Sequence, residues 1–192
     1  DLNGNIVGGL KVKKCAKVNV SGGTISGGVT VAKTAQLTAS NTYFTGAINC
    51  VGSGDFRDCI FMGAVSPKGG SSMKLNSCEI NGELSVSGNA EADECIVSGT
   101  VTVNNGGSLK SAGGAYGNIV NVKSGGTLEI ISGTKSSPPR RAVSLSFPAA
   151  HMPRSGLKIM LISPSVVVNS QISPLTDSIL STVLQRVRLL RI

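Results

Sequence analysis

The sequence contains no tryptophan, and aromatic residues make up only 3% of its 192 residues. A conventional globular core is hard to fill without large aromatic side chains. Glycine supplies 25 residues, charged residues supply 15%, and Ile, Val, Leu, Ser, Thr and Asn make up much of the rest. This composition predicts short strands separated by turns and disfavours long helices.

Membrane and metal signals are also absent from the sequence. It has no run of 18 apolar residues and no basic segment followed by an apolar stretch at its start, so we predict neither a membrane-spanning helix nor an intact signal peptide. Because Asp1 falls inside a repeat, we expect a processed chain or a fragment of a longer protein. Five cysteines without a Cys-x-x-Cys pair, and a single histidine, argue against a zinc site. The sequence predicts no catalytic residue, no metal and no cofactor.

Charge, glycine and proline are distributed unevenly along the chain. Residues 1–134 carry ten Lys/Arg and nine Asp/Glu, whereas residues 135–192 carry eight and one. Of the 25 glycines 24 precede position 135, and six of the seven prolines follow it. We therefore predict a repeat domain over 1–134 and a basic tail over 135–192.

An internal repeat is the strongest pattern in the sequence. Its anchors are spaced by 19, 19, 17, 19, 17 and 19 residues: Gly8, Gly27, Gly46, Gly63, Gly82, Gly99 and Asn118. Two residues after each anchor stands an aliphatic residue: Leu10, Val29, Ile48, Val65, Leu84, Val101 and Val120. Four residues after it stand Val12, Val31, Cys50, Pro67, Val86, Val103 and Val122, and two residues before it stand Ile6, Ile25, Phe44, Phe61, Ile80, Val97 and Tyr116.

These columns predict three short strands in each repeat, because alternation with period two indicates a strand with one buried face. Ten residues after the anchor, we expect a further inward column of Val18, Leu37, Phe56, Met73, Ala92, Leu109 and Leu128. Three strands separated by turns can close a triangular coil that stacks on the coil before it. The predicted fold is all-β: a right-handed parallel β-helix (β-solenoid) of about seven coils of 17 to 19 residues.

A column of small residues marks the corner between the first and second strands: Ala16, Ala35, Gly54, Ser71, Ala90, Gly107 and Gly126. Its glycines fit a corner that needs positive φ or a close backbone approach. We expect the two shorter coils to lose their two residues between the second and third strands.

The tail does not continue the repeat. Its last sixteen residues predict a short helix, with Thr176 or Asp177 as N-cap, and with Leu180, Val183, Leu184, Val187 and Leu190 at helical spacing. A cap or docking element at the solenoid end is the favoured role for the tail. The alternatives are a membrane-surface helix, a polyanion-binding arm, or a disordered or non-native extension.

Three groups of side chains are candidates for chemistry. Cys59, Cys78 and Cys95 share one column, and we expect an inward ladder of free thiols, with Cys15 at a corner and Cys50 in a valine column. The acids are scattered and are interpreted as solvated charges: Asp55, Asp58, Glu91, Asp93 and Glu94. One outward column mixes charges of both signs, namely Arg57, Lys74, Asp93, Lys110 and Glu129. Another is small and polar and could meet a sugar or a partner, although a hydrated face is the simpler interpretation: Lys11, Thr30, Asn49, Ser66, Ser85, Thr102 and Asn121.

The stretches Val20–Val31 (VSGGTISGGVTV) and Val122–Ile130 (VKSGGTLEI) resemble the repeats of bacterial autotransporter passenger domains of the AIDA type. The resemblance covers about residues 4–134. It implies a right-handed β-helix displayed at the cell surface or secreted, acting in adhesion or aggregation. It also implies host or neighbouring-cell surface molecules, or further copies, as partners, and glycosylation of Ser or Thr. No nucleic-acid partner is expected.

Two other functions stay open at this stage. The Gly-x-Ile/Val/Leu rhythm is also similar to that of bactofilins, and this resemblance implies a cytoplasmic filament that polymerises through coil ends; five free cysteines suit a reducing cytosol. A polysaccharide-active β-helix enzyme is the third alternative, although no insertion walls a cleft.

Overall fold

The computed structural model describes residues 1–131 and the backbone of residues 145–146. Twenty-two short strands occur in these residues, and their bounds are β1 (Leu2–Asn3), β2 (Leu10–Val12), β3 (Lys17–Ser21), β4 (Thr24–Ile25), β5 (Val29–Val31), β6 (Gln36–Ser40), β7 (Tyr43–Phe44), β8 (Ile48–Cys50), β9 (Ser53–Arg57), β10 (Ile60–Phe61), β11 (Val65–Pro67), β12 (Ser72–Asn76), β13 (Glu79–Ile80), β14 (Leu84–Val86), β15 (Asn89–Asp93), β16 (Ile96–Val97), β17 (Val101–Val103), β18 (Ser108–Ala112), β19 (Ala115–Tyr116), β20 (Val120–Val122), β21 (Thr127–Ile131) and β22 (Leu145–Ser146).

The strands form three parallel sheets that run along a solenoid of about seven coils. Sheet A has the order β1-β3-β6-β9-β12-β15-β18-β21, sheet B the order β19-β16-β13-β10-β7-β4, and sheet C the order β2-β5-β8-β11-β14-β17-β20-β22. Each full coil contributes a three-residue strand to sheet C, a five-residue strand to sheet A and a two-residue strand to sheet B. The described residues contain no helix, and hence none that could cross a membrane. The predicted all-β solenoid is confirmed.

The aliphatic columns stack rung over rung, as the repeat predicts. Leu10 pairs with Val29, Val29 with Ile48, and Ile48 with Val65. The core is a narrow rod of these ladders, and the aromatic rings in it are concentrated in two coils. Phe44 and Phe61 stack with ring centroids 5.0 Å apart, and Phe56 meets both rings edge-on.

From Gly27 to Gly99 the anchor glycines leave no room for a side chain between successive coils, whereas the first anchor, Gly8, has open space around it and a φ of 112°. A Cβ on Gly46 would lie 2.5 Å from the backbone of Gly27, and a Cβ on Gly99 would lie 2.0 Å from the backbone carbonyl of Gly82. Close backbone approach therefore explains why glycine recurs at the anchors from Gly27 to Gly99, and positive φ explains it at Gly8. At the corner between sheets C and A both predicted reasons hold: Gly106 has a φ of 74°, and a Cβ on Gly107 would lie 2.3 Å from a neighbouring carbonyl oxygen.

The predicted position of the two-residue deletion is wrong. Two residues separate the second and third strands in every complete coil, whereas the link from sheet C to sheet A shortens from four residues, as at 32–35, to two at 51–52 and 87–88. Leu37 therefore pairs with Gly54, and Met73 with Ala90, so Phe56 and Ala92 belong to the next inward column. A shift by two residues keeps the same face buried, and the hydrophobic pattern could not distinguish the two registers.

This correction also moves two of the predicted corner residues. Gly54 and Ala90 lie inside strands β9 and β15, and the corner positions belong to Gly52 and Gly88. A Cβ on Gly52 would lie 2.4 Å from two backbone carbonyl oxygens of the previous coil. Small residues are needed at this corner for the same steric reason as at the anchors.

Sheet C continues beyond the last repeat. Strand β22 pairs with β20, with Leu145 next to Val120 and Ser146 next to Asn121. A segment assigned to the tail thus occupies the place where the next coil would add its strand. The boundary at 134/135 and the right-handed coiling stay predictions, and the predicted C-terminal helix lies outside the described residues.

Candidate functional site

The outer face of sheet C carries the small polar column that the sequence predicts. Residues 11, 30, 49, 66, 85, 102 and 121 are aligned, and all seven side chains are exposed or half-buried. We call this column the polar face. Alternation places it outward because its neighbours on both sides along each strand fill the core.

A shallow, open depression of about 370 Å³ lies on the polar face near its C-terminal end. Its lining comes from three successive coils: Glu83, Ser85, Thr102, Asn104, Asn121, Val122 and Lys123. The Asn104 amide donates hydrogen bonds to the hydroxyl oxygens of Ser85, at 3.1 Å, and Ser87, at 3.2 Å. Hydroxyl and amide groups that both donate and accept hydrogen bonds suit a polyhydroxylated ligand. Glu83 adds an acceptor and Lys123 a donor at the rim.

The thiol ladder lies inside the opposite corner, where sheet A turns into sheet B. Cys59, Cys78 and Cys95 are stacked by the pairing of β10, β13 and β16, and each is at most 2% exposed. Each S–H donates to the carbonyl oxygen two residues earlier, at 3.2 Å to Arg57, 3.3 Å to Asn76 and 3.4 Å to Asp93. Thr42 makes the same bond through its hydroxyl one rung earlier, at 2.9 Å to Ser40. The predicted inward thiol ladder is confirmed, and the chain's five cysteines are all free.

Interaction with the neighbouring thiol of Cys78, together with burial, raises the pKa of Cys59 and that of Cys95. Burial raises the pKa of Cys50 to about 11. Because these four side chains are shielded by the core, they act as small apolar fillers, and Cys15 is the exposed thiol.

The charged column on the outer face of sheet A differs from the predicted one. The corrected register replaces Arg57 and Asp93 by Asp55 and Glu91, so the signs alternate strictly along successive rungs: Asp55, Lys74, Glu91, Lys110 and Glu129. Lys74 and Glu91 lie 3.6 Å apart. We call this column the charge ladder. The alternation stabilises the stack, since every charge has opposite charges on the adjacent rungs.

The remaining acids considered above lie apart from the depression. Asp58 and Glu94 occupy a corner column with positive φ, at 53° and 54°, between sheets A and B. Within residues 1–131 no group of three His, Cys, Asp or Glu side chains could hold a metal ion. The single histidine, His151, lies outside the described residues.

Sequence reasoning missed an apolar stripe on the outer face of sheet B. The outward column there consists of Thr24, Tyr43, Ile60, Glu79, Ile96 and Ala115. Ile60, Ile96 and the adjacent Met62 are 36%, 54% and 46% exposed, and are among the six large hydrophobic residues exposed in the described part of the chain. The sequence did contain a signal for this stripe. Ile60 and Ile96 each stand one residue before an inward residue, Phe61 or Val97, so alternation places them outward. We call Tyr43, Ile60, Met62 and Ile96 the apolar stripe.

Comparison of the chain with known proteins gives no relative: no family model, no curated protein and no solved structure matches it.

Proposed function

We propose that this chain is a structural β-solenoid of the surface-display type, acting in adhesion or aggregation. The observation that carries the proposal is the polar face, a column of seven small or flexible polar side chains in register along one side of a rigid rod. Such a face offers repeated hydroxyl and amide groups to a hydroxylated or polar surface on another cell. Host or neighbouring-cell surface molecules, or further copies of the chain, are the proposed partners, and a cell-surface or secreted location follows.

The rod itself supports this role. The outward column that precedes the polar face along the chain contains Gly28, Ala47 and Ala64, so no bulky side chain shields the face on that side over these coils. Each added coil extends the face by about 4.8 Å. Affinity from a repeated face comes from many weak contacts acting together, which suits adhesion better than tight capture of one small molecule.

The test is an adhesion assay with the full chain coupled to fluorescent beads. We expect coated beads to cluster or to be retained on a cell layer, and the double variant Ser85→Arg with Thr102→Arg, in the depression, to reduce retention towards that of uncoated beads. The matched control, Thr38→Arg with Ser72→Arg, places the same substitutions on the outer face of sheet A and should leave retention unchanged. Equal losses in both variants, or no retention above uncoated beads by the full chain, would contradict the proposal.

A bactofilin-like cytoplasmic filament is the second candidate, and one observation favours it. All five cysteines are free, and four of them are buried in the core. Free thiols are typical of proteins that fold in a reducing compartment. Electron microscopy of the purified full chain over a range of salt concentrations tests this function. Long unbranched fibres without any bead adhesion would favour the filament over the surface-display role.

A further inference from the structure

We propose that residues 177–192, the basic C-terminal segment of the same chain, dock on the apolar stripe of sheet B. The proposal concerns a different side of the rod from the polar face and does not depend on the proposed adhesive function. Sheets A and C present polar or charged outward columns, whereas sheet B presents Tyr43, Ile60 and Ile96, with Glu79 between the two isoleucines. Ile60, Met62 and Ile96 are exposed within two rungs of one another, and a group of exposed apolar side chains indicates a contact surface.

The charge of this face defines the chemistry of its occupant. Its two outward columns, from Thr24 to Ala115 and from Ser26 to Gly117, contain one acidic residue, Glu79, and no basic residue. One oxygen of the Glu79 carboxylate accepts a hydrogen bond from the Asn81 amide at 2.9 Å. An occupant that covered the stripe without supplying a positive charge would desolvate this carboxylate at a cost. The face therefore suits an apolar surface bordered by arginine or lysine.

A second copy of the same sheet does not meet this requirement. A two-fold pair centred on Glu79 would set two carboxylates against each other. A pair centred between Ile60 and Glu79 would set each carboxylate against an isoleucine. Both arrangements bury negative charge without a positive partner, which disfavours a sheet B dimer.

Residues 177–192 have the required pattern. On a helix of 3.6 residues per turn, Leu180, Val183, Leu184 and Val187 share one side, and Arg186 and Arg188 lie at its two borders. The apolar side would cover Ile60 and Ile96, and a bordering arginine would reach Glu79. The tail as a whole carries eight basic residues and one acidic residue.

The dimensions of face and segment also agree. Strands of sheet B are two residues wide, so the face is a narrow strip that suits one helix of about 10 Å diameter. From Thr24 to Ala115 the column spans five rungs, about 24 Å, and a sixteen-residue helix is about 24 Å long. Between β22 and residue 177 lie thirty residues, which can span about 100 Å when extended. The connection therefore reaches any point along the rod.

The absence of tryptophan gives a direct test with the full chain. A Leu184→Trp variant carries one tryptophan, and we expect its emission to be blue-shifted relative to a peptide of residues 177–192 with the same substitution. Adding Ile96→Glu or Glu79→Arg should shift the emission back towards that of the peptide. Exchanging the charges, by combining Glu79→Arg with Arg186→Glu and Arg188→Glu, should recover the blue shift in part. A Thr102→Glu control on sheet C should have no effect.

Three results would overturn the proposal. The first is an emission maximum equal to that of the peptide, and the second is a blue shift that the sheet B substitutions leave unchanged. The third is a blue shift that grows with protein concentration, or that arises only when anionic lipid vesicles are added, because the occupant or the target would then be another molecule. An unchanged β-type circular dichroism spectrum in each variant shows that the solenoid itself is intact.

Discussion

Ser71 is a buried hydroxyl that costs stability. It is 1% exposed, and its Oγ has no hydrogen-bond partner among the residues that the structure describes. Equivalent corners in other coils contain Ala16, Ala35 and Gly107, which have no polar side-chain atom to satisfy. We expect Ser71→Ala to raise the free energy of unfolding by about 1 kcal/mol, because it removes an unsatisfied polar group. Denaturant unfolding measures this change, and the exposed neighbour serves as control, with Ser72→Ala expected within about 0.5 kcal/mol of the parent. A destabilised Ser71→Ala variant would show that the hydroxyl has a partner.

Cys50 links stability to alkaline pH. Burial raises the pKa of this thiol from 9.0 to about 11, so the fold favours the protonated form. The stabilisation is complete below about pH 9 and is lost as the pH rises through about 11. Valine occupies the same position in five other coils and is therefore a suitable replacement. Because valine has no proton to lose, we expect the stability of Cys50→Val to fall less steeply with pH over this window. The difference in slope should be at most about 1.4 kcal/mol per pH unit.

Denaturant unfolding of both proteins at pH 7, 9 and 10 measures the difference. Tyr116, whose pKa burial raises to about 12, is common to both and titrates later. Parallel stability curves for the parent and Cys50→Val would contradict the assignment of the slope to Cys50.

At the scale of the element, strand β9 shows how volume is shared between neighbouring inward positions. A Cβ on Gly54 would lie 2.6 Å from the Phe56 ring, whereas the aligned residues of β6 are Leu37 and Ala39. We expect Gly54→Ala to cost about 1–3 kcal/mol through overpacking. In a Phe56→Ala background the same substitution should cost much less, so the double-mutant cycle should give a coupling energy of about 1 kcal/mol or more. Equal costs in the two backgrounds would show that the ring does not fill that space.

The charge ladder of sheet A gives a second prediction at this scale. Lys74→Glu would place carboxylates on three successive rungs, between Asp55 and Glu91. We expect a loss of about 0.5–1 kcal/mol at low salt, and a smaller loss at high salt because the interacting groups are exposed. Lys17→Glu, in a column without other charges, is the control and should change little. A loss that is the same at low and high salt would exclude the ladder as its cause.

The sequence predicted the elements better than their exact register. The columns that begin at Leu10 and Val12 were correct because the anchor glycines lie close to them in the chain, before the variable link. The column with Phe56 and Ala92 was wrong because it follows that link, where two residues are lost and period-two burial is preserved. The strict alternation of charge was hidden by the same error.

The candidate sites divide in the same way. The polar face and the thiol ladder follow from alternation close to an anchor, and both were predicted correctly. The depression requires side chains from three coils and the link residue Asn104, whose contacts with Ser85 and Ser87 depend on the shape of the corner. The apolar stripe could have been found from its column alone, since Ile60 and Ile96 alternate with inward residues in the same way as the other exposed positions.

At the scale of the whole molecule, every side of the rod has its own chemistry. Sheet A carries the charge ladder, sheet C the polar face, and sheet B the apolar stripe with one carboxylate. Each coil contacts mainly its neighbours along the rod. A substitution of an outward residue therefore changes the surface of its own sheet and leaves those of the other two sheets unchanged. The proposed adhesive face and the proposed docking face can therefore be altered independently.

The stacking of the coils is tested most directly by distances between pairs of spin labels on the polar face. In a Cys15→Ser background, cysteines introduced at Thr30 and Thr102 lie four rungs apart, and those at Thr30 and Asn121 lie five rungs apart. We expect backbone separations of about 19 Å and about 24 Å, and thus an increase of one rung, about 4.8 Å, between the two pairs. Equal distances, or a shorter distance for the second pair, would contradict a solenoid in which residues one repeat apart lie on adjacent rungs.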